Sequence, residues 1–235
     1  MPPNWLTVLA DVSLILAFLC AFVVLADVLA GHRQEMGIMN VVWPITPLYL
    51  GPLGLWAYYA IGRTKAKAER PGGDGGRTDQ DKPQQKKEPS WRSVFTGVTH
   101  CGAGCTLGDV VAEFGVFFLG LTIAGAMIWP AFIADFALAY LFGIVFQYFS
   151  IAPMRGLGLK DGLIAAVKAD TLSITAYEVG MVVWMALVYF VFFHPHLKPD
   201  QPVYWFMMQI AMLVGFATAY PMNRWLIQKG LKEVM

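Results

Sequence analysis

The feature that most constrains this chain is its series of long apolar runs. From Trp5 to about Ala30 the sequence is dominated by Leu, Val, Ala and Phe, and a helix of roughly 20 such residues crosses about 30 Å of hydrocarbon. Further runs cover Val41 to Ile61, Gly162 to Phe193 and Val203 to Ile227. The stretch from Val94 to Ala152 is too long for one crossing, and Trp129-Pro130 divides it into two. The fold expected is an all-α polytopic membrane protein, with six transmembrane helices forming three helical hairpins. Composition agrees: 57% of the 235 residues are hydrophobic and 14% are charged, against about 25% charged in an ordinary soluble domain. A soluble enzyme, a nucleic-acid binder and a disordered scaffold do not fit such a chain; its first partner is the lipid bilayer. The opening run has no basic segment before it and no small-residue cleavage motif, so it reads as an anchor and not as a removable signal peptide.

Residues 1–62 form the first hairpin, 63–92 a linker and 93–235 a four-helix core. From Arg63 to Ser90 there are eight Lys/Arg, five Asp/Glu, four Gly and three Pro, with no aromatic or branched aliphatic residue. Such a segment cannot bury enough apolar area to offset the entropy of ordering, so a flexible loop is expected. Lys and Arg concentrate in cytoplasmic loops. With the linker cytoplasmic, six crossings place both termini in the cytoplasm. Cytoplasmic segments then carry fourteen Lys/Arg and the outer ones two, Arg33 and Lys198, with Lys168 inside the fifth run.

Sliding the chain on itself by 65 positions aligns CTLGDVVAEFG at 105–115 with DTLSITAYEVG at 170–180. Thr106, Leu107, Glu113 and Gly115 fall on Thr171, Leu172, Glu178 and Gly180. The helices that follow end alike, in Pro153-Met154-Arg155 and in Pro221-Met222 with Arg224. Hairpins 94–155 and 162–227 therefore read as a parallel tandem repeat about an axis along the membrane normal, an arrangement found among transporters. Trp43, Trp129 and Trp205 each open the second helix of a hairpin, as interfacial Trp does.

Ionisable groups in hydrocarbon cost about 2.5–3.5 kcal/mol each on insertion scales and mark functional sites. Here they are Asp11, Asp109, Glu113, Asp135, Lys168, Asp170 and Glu178. The repeat puts Glu113 and Glu178 at equivalent depth on two helices able to face each other, where two carboxylates share a proton or jointly hold a cation. Cys101, Cys105, Asp109 and Glu113 recur every fourth residue, on one slowly drifting helix face. His100 adjoins this stripe, and Gly102, Ala103, Gly104 and Gly108 leave the backbone slim enough for close helix approach. Thiolate, imidazole and carboxylate are transition-metal ligands. The candidate metal set is His100, Cys101, Cys105, Asp109, Glu113, Asp170 and Glu178, against the alternative that Cys and Gly merely pack helices. A Cys101–Cys105 disulfide is not expected, because Cβ atoms one turn apart stand about 5–6 Å from each other where a bridge needs roughly 3.8 Å.

Met181/Met185 and Met208/Met212 have the spacing at which two thioethers meet one soft ion such as Cu(I), although Met also fills gaps in apolar helices. His194 and His196 fall on an outer loop and read as solvated. Lys168 either snorkels to the interface or pairs with Asp170 or an acid of the third helix. Asp135, Tyr177 and Gln209, with Gln147 and Tyr148, are available as supporting or proton-coupling partners.

The runs THCGAGCTLGD at 99–109, KADTLS at 168–173, WFMMQIAM at 205–212 and YPMN at 220–223 resemble a bacterial multi-pass membrane family catalogued as a domain of unknown function. The resemblance covers roughly 90–235. It implies a bacterial inner-membrane protein with an association to copper handling, and supplies no established activity or ligand set.

The function expected is a transporter or channel for a transition-metal cation, copper-like or another divalent ion, with or without proton coupling, in a chain that is more a carrier than an enzyme and that has room for oligomer formation. Alternatives are a membrane thiol or redox protein, and an assembly protein whose acids glue helices together. No P-loop, Rossmann glycine pattern, HExxH or GxSxG is present, so nucleotide-driven transport and hydrolase chemistry have no support.

Overall fold

The computed structural model describes residues 2–34, 36–64 and 90–232. The central part of the charged linker, 65–89, lies outside them, and with it the expectation of a flexible loop. The described residues are all-helical. The helices are α1 (Asn4–Leu29), α2 (Met39–Leu50), α3 (Pro52–Ala57, continued by a π-helical turn Tyr58–Gly62), α4 (Trp91–Leu119), α5 (Ile128–Arg155), α6 (Leu159–Leu187, continued by a π-helical turn Val188–Phe192) and α7 (Pro202–Gln228). Five of them, α1, α4, α5, α6 with its extension and α7, are long and apolar enough to cross a membrane.

Local sequence sets the ends. Ser90 caps α4 by accepting from the Ser93 amide at 3.2 Å, and left-handed Gly120 and Gly156 close α4 and α5. Pro202 opens α7, where its missing N–H costs nothing. The loop 120–127 falls close to the division that Trp129-Pro130 suggested.

Burial is inverted relative to a soluble bundle. Outward faces are apolar, with Val8, Ile15, Phe18 and Phe22 of α1 all exposed, whereas Asp109, Glu113, Asp135, Asp170 and Glu178 are buried. That is the distribution a chain adopts when its solvent is lipid. Small residues bring the helices together: a Cβ on Gly104 would lie 3.0 Å from the Gly143 Cα, one on Gly108 would collide with the Ala139 backbone, and one on Gly180 would lie 2.9 Å from the Gly215 Cα.

The second apolar run is not one through-going helix. Gly51 adopts φ 56° and ψ −134°, and the chain reverses there. Gly54 of α3 then packs on Pro47 of α2, Tyr58 meets Trp43 edge-on at 5.8 Å between ring centroids, and Gly62 lies over the Trp43 ring. Both ends of 39–62 therefore sit together beside the end of α1. The Gln34 side chain donates to the Gly62 carbonyl, Thr64 Oγ1 donates to the Arg33 carbonyl at 2.9 Å, and Asp27 accepts from Tyr58 at 2.7 Å and Arg63 at 3.0 Å. The second of the six expected helices is thus corrected to a re-entrant hairpin of two short helices, α2 and α3, whose outer ends lie at the same end of the bundle. The physical reason is Gly51-Pro52, reinforced by Pro44 and Pro47: proline removes backbone donors, and glycine accepts the reversed φ. Pro52 leaves the Leu48 carbonyl without its helical partner; Gln209 Nε2 of α7 supplies one at 2.8 Å, while Gln209 Oε1 accepts from Ser13 at 2.8 Å.

With five long helices in alternation, the bundle has a base (residues 30–34, 36–38, 62–64, 90, 156–158 and 229–232) and a crown (the start of α1, 120–127 and 193–201). Ser13 of α1 meets Gln209 in the crown half of α7, and Asp27 meets Arg63 at the base. Pro2 and Lys232, the first and last described residues, therefore lie at opposite ends of the bundle. Hairpins α4–α5 and α6–α7 run in the same sense, but their aligned glycines behave differently. Gly180 packs against Gly215, whereas Gly115 has open space where a side chain would be.

Candidate functional site

One face of α4 organises the interior. Cys101, Cys105, Asp109 and Glu113 are all buried, and successive members rise by about 6 Å along the axis. Val110 and Val111 take the outward positions. Partners for this face come from α5, α6, α7 and the tail that follows α7.

At the base, Gly230 with φ +70° turns the tail back beneath α7, and the Leu231 and Lys232 amides donate to the Leu226 carbonyl at 3.0 and 3.3 Å. Lys232 then enters the bundle. Its Nζ donates to Asp170 Oδ1 at 2.5 Å and lies 3.2 Å from Cys101 Sγ and 3.5 Å from Ser173 Oγ. Both charged side chains are 0% exposed. Cys101 Sγ is also 3.1 Å from Asp170 Oδ1 and 3.0 Å from Ser173 Oγ, and Asn223 donates to Ser173 at 2.6 Å. Burial alone would loosen the Lys232 proton; Asp170 and Cys101 reverse this and hold the ammonium above its ordinary pKa. His100 is fully buried in the electrostatic range of Asp170 and Lys232. Its ring meets Phe146 at 6.0 Å, and neither nitrogen makes a hydrogen bond among the described residues.

One turn further along, the Cys105 thiol sits beside Glu178. Glu178 and Asp109 are each 1% exposed, and no carboxyl oxygen of either has a hydrogen-bond partner among the described residues. Asp109 lies within electrostatic range of both Glu178 and Glu113. Towards the crown, Glu113 reaches the Asp135 carboxyl and the Tyr204 hydroxyl, and Asp135 is also in range of Asp109 and Glu178. Glu113 of α4 and Asp135 of α5 thus meet away from water, the arrangement in which two carboxyl groups can share one proton. A cavity of about 60 Å³ reaches Glu113 from the crown, past Tyr189, Lys198 and Tyr204. A larger one of about 240 Å³ lies at the tip of the re-entrant hairpin, bordered by Leu48, Tyr49, Asp109, Met208 and Gln209.

The expected residues are thus brought together in part. Glu113 and Glu178 do not pair face to face; Asp109 stands between them, and Glu113 takes Asp135 as its neighbour. Among the described residues no three His, Cys, Asp or Glu are gathered closely enough to hold a metal ion, so the seven candidate ligands form a line and not a preassembled centre. Lys168 is exposed, and the partner of Asp170 is Lys232. Gln209 is committed to the hairpin tip and Ser13, and Tyr177 donates to the Met212 carbonyl at 2.9 Å, so neither serves the acids as a direct partner. Met181, Met185, Met208 and Met212 are all buried within one apolar cluster. His196 stacks on Tyr189 at 3.7 Å and is not a solvated loop histidine. The sequence pattern does not single out Lys232, Ser173, Asn223 or Tyr204. Lys232 reads as one more basic residue of a tail, and only the Gly230 turn hints that it returns.

Residues 90–232 match the profile of a family described as a domain of unknown function, DUF4396. No curated protein matches the chain, and no solved structure does.

Proposed function

We propose that this chain, which belongs to the DUF4396 family through its four-helix core, is a membrane transporter that moves a cation along the interior line of acids in exchange with protons. The observation that carries this reading is the gathering of Asp109, Glu113, Asp135 and Glu178, from three different helices, in one buried electrostatic neighbourhood. Helix glue needs satisfied partners, and the free carboxyl oxygens of Asp109 and Glu178 are instead available for a proton or a cation. The line has two ends: the Lys232–Asp170–Cys101 cluster at the base and the small cavity over Glu113 at the crown.

In this reading the base is cytoplasmic and the membrane is crossed five times. The re-entrant hairpin moves Arg33 to the base, so among the described residues eight Lys/Arg (Arg33, Arg63, Arg92, Arg155, Lys160, Arg224, Lys229 and Lys232) lie at that end and Lys198 alone at the crown, with Lys168 within α6. That asymmetry is the positive-inside signature. Broken helices whose tips stop within the membrane border polar pathways in transporters, and Tyr49 and Leu48 bring this tip beside Asp109. A transition metal, as cargo, would pass between single ligands of the Cys, His and carboxylate line and would not rest in a closed site.

Uptake of Cu(I) or a divalent transition metal into proteoliposomes under an imposed pH gradient tests the reading. Flux is expected in the unmodified protein and is expected to fall to background in Glu178→Gln and Asp109→Asn, both correctly folded. Equal flux in both variants would remove the acids from the pathway.

A further inference from the structure

Lys232, the buried lysine among the described residues, belongs to no membrane-spanning helix. Lys232 follows α7, and the tail could have ended in water, as Lys and Arg near helix ends usually do by snorkelling. Instead the Gly230 turn sends it back between α4, α6 and α7. Its ammonium is enclosed by Asp170 Oδ1, Cys101 Sγ and Ser173 Oγ at 2.5, 3.2 and 3.5 Å. Asp170 lies eleven residues into α6, about 16 Å from its base end. A carboxylate, a thiol and a hydroxyl converging at that depth form a cation site, and the cation in it is tethered to the chain. Cys101 and Asp170 are also the base end of the line on which the proposed function rests.

We propose that the segment 229–232 that follows α7 is a built-in plug: Lys232 occupies the base end of the cation pathway as a tethered substrate mimic and must withdraw before that end opens. The arrangement suits such a role better than a purely structural one. A buried ion pair is a weak source of stability because desolvation offsets attraction. The plug is also held by short, local contacts that can be released without disturbing the helices: two backbone N–H hydrogen bonds to the Leu226 carbonyl and one glycine turn. Asn223 of α7 holds Ser173 in place by donating to it and to the Ala219 carbonyl, so the socket persists when the lysine leaves. Cys101 then becomes the first pathway residue reachable from the base.

The proposal rests on the transport reading for its purpose, but its test does not depend on transport. The full-length protein is labelled with a water-soluble maleimide in proteoliposomes, and the modified cysteine is identified by peptide mass spectrometry. Cys101, which is 0% exposed, is expected to be protected in the unmodified protein. In Lys232→Met, and in a chain ending at Lys229, its labelling is expected to rise by at least about tenfold, since protection tracks the opening equilibrium. Lys232→Arg is expected to restore much of the protection. Because Lys232→Met leaves Asp170 unpaired and threatens folding, Asp170→Asn/Lys232→Met provides a charge-free second variant with the same expected labelling. If Cys101 stays protected in the truncated chain and in the double variant while both melt as the unmodified protein does, the tail is not a plug. If labelling rises but Glu178→Gln leaves cation flux untouched, the plug stands and the transport reading falls. Protection in those variants with intact Glu178-dependent flux means the reverse: transport stands and the plug falls.

Discussion

Gln209 shows how single side chains hold this architecture. Pro52 deprives the Leu48 carbonyl of its helical donor, and the Gln209 amide replaces it at 2.8 Å while also accepting from Ser13. Replacing Gln209 by Leu leaves that carbonyl without a donor in an apolar setting, where an unsatisfied group costs about 1–3 kcal/mol. Reversible unfolding in detergent should register a loss of that size; an unchanged midpoint would mean that another donor serves Leu48. The α4 stripe was readable at this scale, because four-residue spacing alone puts Cys101, Cys105, Asp109 and Glu113 on one face, and all four are buried. Their partners were not readable. Lys168 and Lys232 are both lone bases near a helix end, and what separates them is a glycine turn whose direction the sequence pattern does not encode.

Among the elements, the re-entrant hairpin is where counting apolar residues fails. A run of the length of 41–61 satisfies the criterion for a crossing, and hydropathy is blind to whether a chain goes through or turns back. The signals that decide it are Pro44, Pro47 and Gly51-Pro52, with Gly54 and Gly62 admitting the close return. Cysteines introduced at Gly37 and Thr64 should both be labelled by an impermeant reagent from the same side of the membrane. Labelling from opposite sides would restore a sixth crossing. The close pairing of α4 with α5 was legible in Gly104 and Gly108, which meet Gly143 and Ala139. The tandem repeat remains a pattern in the sequence: the match of Gly115 to Gly180 does not extend to what these glycines touch.

At the scale of the whole molecule, an apolar exterior and an acidic interior follow from one physical demand. Every charge kept in lipid needs a partner or a function; Lys232–Asp170 has its partner, and the proposed function assigns the second role to the acids nearer the crown. The most direct test of that division follows internal pH with a trapped dye in proteoliposomes bearing a membrane potential, comparing the unmodified protein with Glu178→Gln. Potential-driven proton movement is expected in the unmodified protein, falling by at least about tenfold in the variant, the scale on which loss of a proton-transferring group is felt. Proton movement at the same rate in Glu178→Gln, with its fold intact, would contradict a proton-carrying role for the interior acids.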